Sequence, residues 1–215
     1  MATQPHKISM RGLAEVVSAK PSSKQSRLKR FKFPDSEESV GRSNYYVKAL
    51  SAIRRHHKGD ASFVDSLLSE LLAQAAVEKD ALKRAKLINN YQAITNYLKN
   101  FGARKLVIKP GTHLYYLHKD LLVSAHPDLV AEEDGRLILI KLHLGREQLP
   151  GGVSGIMLHV LYEAAIERGL PIESTSVECL QSSSGLRTTG PKGGFPGKAV
   201  LNNACQELSS LWPAA

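Results

Sequence analysis

Apolar residues recur at helical spacing through the first half of the chain and at strand spacing through much of the second. Between residues 35 and 59, Val40, Tyr46, Ala49, Leu50 and Ile53 follow the helical period. Asp35 or Ser36 can cap this helix, Glu37 and Glu38 suit its positive end, and Gly59 closes it. Asp60 can cap a second helix, in which Phe63, Val64, Leu67, Leu68, Leu71, Leu72, Ala75 and Ala76 form a broad stripe. Leu82, Ala85, Ile88, Tyr91, Thr95 and Leu98 continue the stripe to Gly102. The pattern predicts one long helix, or two with a bend near Lys79-Asp80. The period then shortens. Leu106-Val107-Ile108 and residues 113–117 predict short strands separated by Pro110-Gly111. Residues 121–144 set two apolar runs around Glu132-Glu133-Asp134-Gly135, and Asp-Gly between β-prone runs predicts a hairpin. Beyond it the pattern predicts an amphipathic helix over 156–168 with Met157, Val160, Leu161, Ala164 and Ala165 inward. A strand over 171–181, a Ser/Gly/Pro-rich loop over 182–197 and a closing helix over 198–211 follow.

The hairpin brings two charged residues together. If Asp134-Gly135 is the centre of the turn, Glu133 pairs with Arg136 and Asp128 falls opposite Lys141. Opposed residues on antiparallel strands share a face, with Cβ atoms about 4.5–5.5 Å apart. Leu137 and Leu139 lie on the face of Lys141 by the two-residue period. An Asp and a Lys so placed form an ion pair, or share a phosphate and a metal ion.

The element order and these residues resemble the PD-(D/E)XK nuclease superfamily, the restriction-endonuclease-like fold, in a degenerate RecB-like or Cas4-like branch. Pro127-Asp128 matches its first motif element. Leu139-Ile140-Lys141 occupies the second, with Leu139 where the family has a carboxylate. Leu161-Tyr162 resembles the aromatic those branches carry on the next helix, and Leu158 stands where they place a Gln. The resemblance covers roughly residues 63–182. It implies an α/β fold with an antiparallel meander flanked by helices, and a site in which Asp128 binds metal and Lys141 acts on the phosphoryl group. Two carboxylates ordinarily hold the Mg²⁺ that polarises the phosphate and activates water. With one missing, Glu147, His143 or Glu163 would have to supply the second ligand if the site is active. The resemblance thus implies a degraded nuclease-like core, with an active Mg²⁺-dependent nuclease as the alternative.

Charge points to an anionic partner. Of the net +9, residues 1–34 carry +7, from eight basic residues against Glu15. Residues 35–105 carry +4, and 106–215 carry −2. The expected organisation is a basic flexible tail over 1–34, a helical region over 35–103 and the nuclease-like core over 104–215. Gly12 to Ala19 could form two turns within the tail. Lys24, Arg27, Lys29, Arg30 and Lys32, with Phe31 and Phe33 interleaved, are candidate contacts to DNA or RNA, or the point where the tail docks on the core. Arg187, Lys192 and Lys198 surround a Gly-rich segment, 190–198, that fails the Walker A pattern but could hold an anion through backbone N–H groups.

Other features exclude more than they assign. No apolar run is long enough for a membrane span, and no apolar leader opens the chain, which suggests a cytoplasmic protein. Cys179 and Cys205 read as buried free thiols. His113, His118, His126, His143 and His159 lack dense metal-ligand spacing, and His126-Pro127-Asp128 lacks the basic helix that precedes this tripeptide in J-domains. The expected function is nucleic-acid binding as an accessory subunit of a larger complex, with a protein-binding scaffold as the further alternative.

Overall fold

The structure, a computed structural model, describes residues 5–32 and 45–213. These residues form a mixed α/β protein. The order is β1 (His6–Ser9), α1 (Met10–Val17), α2 (Pro21–Lys32), α3 (Val47–His56), α4 (Ala61–Val77) and α5 (Ala81–Phe101). Then come β2 (Val107–Ile108), β3 (Tyr115–His118), β4 (Leu121–Ser124), β5 (Leu129–Glu133) and β6 (Arg136–His143). The chain ends with α6 (Gly151–Glu167), β7 (Val177–Gln181), β8 (Leu186–Thr189) and α7 (Lys198–Leu211). The expected helix start at Asp35 to Glu38, and Val40, lie outside the described residues. None of the described helices is long and apolar enough to cross a membrane.

The strands make two sheets, ordered β1-β4-β3 and β2-β5-β6-β7-β8. Within the larger sheet only β6 and β7 run parallel, because α6 carries the chain back between them. The β5–β6 turn is as the Asp-Gly pair predicts. Asp134 and Gly135 both have positive φ, 51° and 77°, as a tight hairpin turn requires. Glu133 pairs with Arg136 and Leu129 with Ile140. The expected 121–144 hairpin needs correction in its first arm. Residues 121–124 belong to the smaller sheet, and of that arm only β5 pairs with β6. Ala125 N–H still bonds to Leu114 in the smaller sheet, while Asp128 N–H bonds to Ile140 in the larger. Pro127, which has no N–H, stands between the two ladders.

β6 is buried on both faces. Leu139, with Val130, Val177 and Cys179, packs in a core shared with α1, α6 and α7. Ile138, Ile140 and Leu142, with Leu129, Ala131 and Leu180, pack in a second core under α3, α4 and α5. The inward residues expected of α6 are all buried. The long helical stripe breaks where Asp80 stands, because its carboxylate caps α5 by accepting from the N–H groups of Leu82 and Lys83. Leu82 departs from the expected stripe: it is 83% exposed at the free end of the α4–α5 hairpin.

The flexible tail expected for residues 1–34 is corrected over residues 6–32. β1 pairs in parallel with β4. Ser9 caps α1 by accepting from Gly12 N–H at 3.0 Å. Met10, Leu13, Ala14 and Val16 then bury against the core, and Gly12 allows a close approach, since a Cβ there would meet Ile8 at 2.8 Å. Leu28 anchors α2 with no exposed surface. The apolar residues of this stretch are few, yet most of them bury against the core. A second correction concerns 182–197: Leu186–Thr189 forms an edge strand on β7 rather than loop.

A buried ion network ties the larger sheet to the helices. Glu178 on β7 is fully buried. Arg104, just after α5, donates to Glu178 at 2.8 Å and to both oxygens of Glu133 at 2.8 and 2.6 Å. Arg187 donates to Glu178 at 2.6 Å. Burial opposes the Arg104 charge, but its hydrogen bonds to Glu133 and Glu178 outweigh that and raise its pKa. Nearby, burial and then the neighbouring His56 hold the His57 pKa down to about 4, with its Nε2 at 2.8 Å from the Tyr97 hydroxyl.

Two outcomes are expected. Glu178→Ala leaves two arginines facing an emptied buried site and should cost about 3–5 kcal/mol, against under about 1 kcal/mol for Lys109→Ala in the exposed pair with Glu132. Urea unfolding of both variants compares the two. For His57, the unfolded chain binds a proton near the ordinary 6.5 and the folded chain only near 4. Between these values the unfolded state holds more protons, so stability should fall as pH drops below about 6.5. His57→Gln should flatten this fall in unfolding midpoints measured from pH 7 to 4.

Candidate functional site

Asp128 sits where the chain passes from the smaller sheet to the larger. His126, preceding a proline, is biased to extended backbone, and Asp128 continues into β5. The β5–β6 register ends at Leu129–Ile140, and Asp128, one residue before β5, meets Lys141 through its side chain, as the turn arithmetic predicts. Lys141 Nζ lies 3.1 Å from Asp128 Oδ1 and 3.3 Å from the His126 carbonyl. Leu142 N–H donates to Asp128 Oδ2 at 2.8 Å, and Arg54 donates to the Asp128 carbonyl at 2.8 Å. The two side chains are 18% and 24% exposed, so the pair is partly screened. Both carboxylate oxygens of Asp128 therefore have a donor within the fold.

The surroundings do not complete a metal site. Leu139 is fully buried in the core beside α6. Cys179 lies next to Lys141 in the β6–β7 register, and burial, with the Asp128 charge, pushes its thiol up to about 11. It and Cys205 are buried and free, as expected. His143 is buried, and its Nε2 meets the Glu147 carbonyl at 2.6 Å, so that nitrogen carries the proton and donates. Burial also lowers the His143 pKa. The Glu147 residue is exposed. Glu163, on α6, has His159 and Lys198 as its ionic neighbours, each at 3.7 Å, rather than Asp128. Among the described residues no group of three or more His, Cys, Asp or Glu is arranged to hold a metal ion. The donor set does not fit Mg²⁺, which binds through oxygen ligands in near-octahedral geometry.

The structure also shows neighbours that spacing concealed. His126 Nδ1 accepts from Leu114 N–H at 3.1 Å, and its Nε2 lies 3.4 Å from His113 Nδ1. Burial, then the charges of His113 and Lys141, lower the His126 pKa. The pair arises because β3 folds antiparallel onto β4, which brings together residues thirteen apart. His159 stacks on Phe195 at 4.8 Å under the Gly-rich segment. The Arg104–Glu133–Glu178–Arg187 network joins the loop after α5 to three separate strands, and nothing in the spacing of these four charges linked them.

Among the described residues, the candidate nucleic-acid contacts divide into those held by the fold and those left exposed. Lys24 pairs with Glu207, and Lys32 donates to the Trp212 carbonyl at 2.7 Å. Arg187 is held by Glu178, and Lys198 by Glu167 at 2.9 Å. Arg27, Lys29 and Arg30 lie exposed on α2, and Lys192 is exposed after β8. No known protein-family model matches the chain, and no curated protein matches its sequence.

Asp128→Ala removes the acceptor of Leu142 N–H and strands Lys141, and should destabilise by about 1–3 kcal/mol. Purified protein with Mg²⁺ or Mn²⁺ should leave single- and double-stranded DNA and RNA uncut. Metal-dependent cleavage that both Asp128→Ala and Lys141→Ala abolish would instead restore an active nuclease.

Proposed function

We propose that this protein binds nucleic acid through the outer face of α2, on a nuclease-like core whose Asp128–Lys141 pair serves the fold rather than a metal. Kinship with the PD-(D/E)XK superfamily is part of the proposal. It is supported by the order β5, β6, α6, β7 with β6 and β7 parallel, and by Asp128 and Lys141 meeting on one sheet face. A role as accessory subunit fits a core that keeps this geometry without its second carboxylate.

One observation carries the binding reading. α2 holds five cations, Lys24, Arg27, Lys29, Arg30 and Lys32, and no acidic residue. Lys24 and Lys32 fasten the helix to α7 and Trp212, and Leu28 and Phe31 seat it on the core. Arg27, Lys29 and Arg30 are left facing solvent from a rigid support, with Ser22 and Ser26 exposed between them. Fixed cations on one helix face gain affinity by releasing counterions from phosphates without first ordering a flexible segment.

The test is fluorescence anisotropy with labelled duplex DNA and single-stranded RNA over a salt series. Replacing Arg27, Lys29 and Arg30 together by Ala should weaken binding. It should also flatten the slope of log affinity against log salt by about 0.9 per lost duplex-phosphate contact. An unchanged slope removes α2 from nucleic-acid binding.

A further inference from the structure

Among the described residues, the free end of the α4–α5 hairpin leaves apolar surface uncovered. Val77 is 78% exposed, Leu82 83% and, across from them at the start of α3, Val47 51%. Between α3, the second half of α4 and the first half of α5 runs a groove of about 750 Å³. Val47, Leu71, Val77 and Leu87 contribute its apolar lining. Lys48, Lys79, Lys83 and Lys86 line it as well, against the single carboxylate of Glu78.

The acidic groups at this end accept from backbone N–H groups. Glu78 accepts from Asp80 N–H at 2.9 Å, and Asp80 caps α5. Lys48 is drawn to Glu70 on α4, but no described residue forms an ion pair with Lys79 or Lys83. The groove therefore presents an aliphatic floor and a positive rim. An aliphatic floor receives Leu-like side chains and offers no platform for stacked bases. The one aromatic, Tyr45, has its hydroxyl bonded to Asn89, its edge met by Tyr46 and Lys86 over its ring. A groove between helices is the shape that takes an amphipathic helix through anchors at i, i+3 or i+4, and i+7. We infer that this groove docks an acidic amphipathic helix of a partner protein, its apolar stripe on the floor and its carboxylates on the four lysines. The inference stands on surface separate from α2.

The experiment uses the full chain and a fluorescein-labelled model helix of about 16 residues, with Leu at the anchor positions and Glu elsewhere. The control peptide carries Lys in place of Glu. The acidic peptide should bind and the basic one should not. Val77→Asp, and Lys79→Glu with Lys83→Glu, change exposed side chains, so folding should persist by circular dichroism. Each should weaken the acidic peptide by about tenfold or more. The triple Ala variant of α2 should leave peptide binding unchanged. Failure of the acidic peptide to bind, equal binding of both peptides, or indifference to the groove variants would overturn the inference. So would self-association abolished by Val77→Asp, which assigns the groove to a second copy. Capture by anionic vesicles, or of duplex DNA, lost in the Lys79/Lys83 variant would assign it to lipid or nucleic acid.

Discussion

A central sheet packed on both faces has no water to spare for polar groups, and that constraint organises this protein. Glu178 lies on β7 with no exposed surface, and an unpaired carboxylate there would cost several kcal/mol. Arg104 from the end of α5 and Arg187 from β8 both reach it. The same guanidinium of Arg104 grips Glu133 on β5, so one residue links the helical layer to two strands of the sheet. The edge strand β8 and the position of α5 over the sheet follow from satisfying one buried charge. Removing one member of such a network costs more than the intact network adds to net stability, because it leaves an uncompensated buried charge.

Asp128 obeys the same rule at the opposite edge of β6. In a metal nuclease an aspartate in this place would keep its oxygens for the ion. Here one oxygen meets Lys141 and the other the Leu142 N–H, so the carboxylate bridges the start of β5 to the end of β6. Leu139 fits this picture: a carboxylate two residues before Lys141 would point into the core shared with α6 and demand its own partners. The geometry of a catalytic pair and the energetics of a structural one thus coincide at the same two residues. The difference lies in what surrounds them.

Positive charge is spent in two ways on this fold. Lys24, Lys32, Arg187 and Lys198 hold elements together, whereas Arg27, Lys29 and Arg30 on α2 and the lysines at the α4–α5 tip face outward. The outward cations lie on different elements with different company. Those on α2 sit among serines on a convex helix face, which suits a phosphate backbone. Those at the tip border aliphatic surface in a groove, which suits a protein segment.

What the sequence determined by itself was local. Asp134-Gly135 set a turn with two positive φ values, and the two-residue period then placed Asp128 against Lys141 without further information. Asp60 marked a helix start, and the bend expected near Lys79-Asp80 is where Asp80 caps α5, because a carboxylate within three residues of free N–H groups needs no distant partner. The closing helix ran over its expected residues although Gly197 at its start offers no side-chain cap. Tertiary structure decided whatever depended on a partner far along the chain. The first 32 residues looked too polar to fold, yet Ile8 pairs beside Val123 and Leu28 has no exposed surface, since the receiving face is built by residues more than a hundred positions later. Which cations were free could not be read from their spacing, because Glu207, Trp212, Glu178 and Glu167 claim four of them across the fold. Periodicity reports the face a residue turns to, while the identity of what meets that face is set by non-local packing alone.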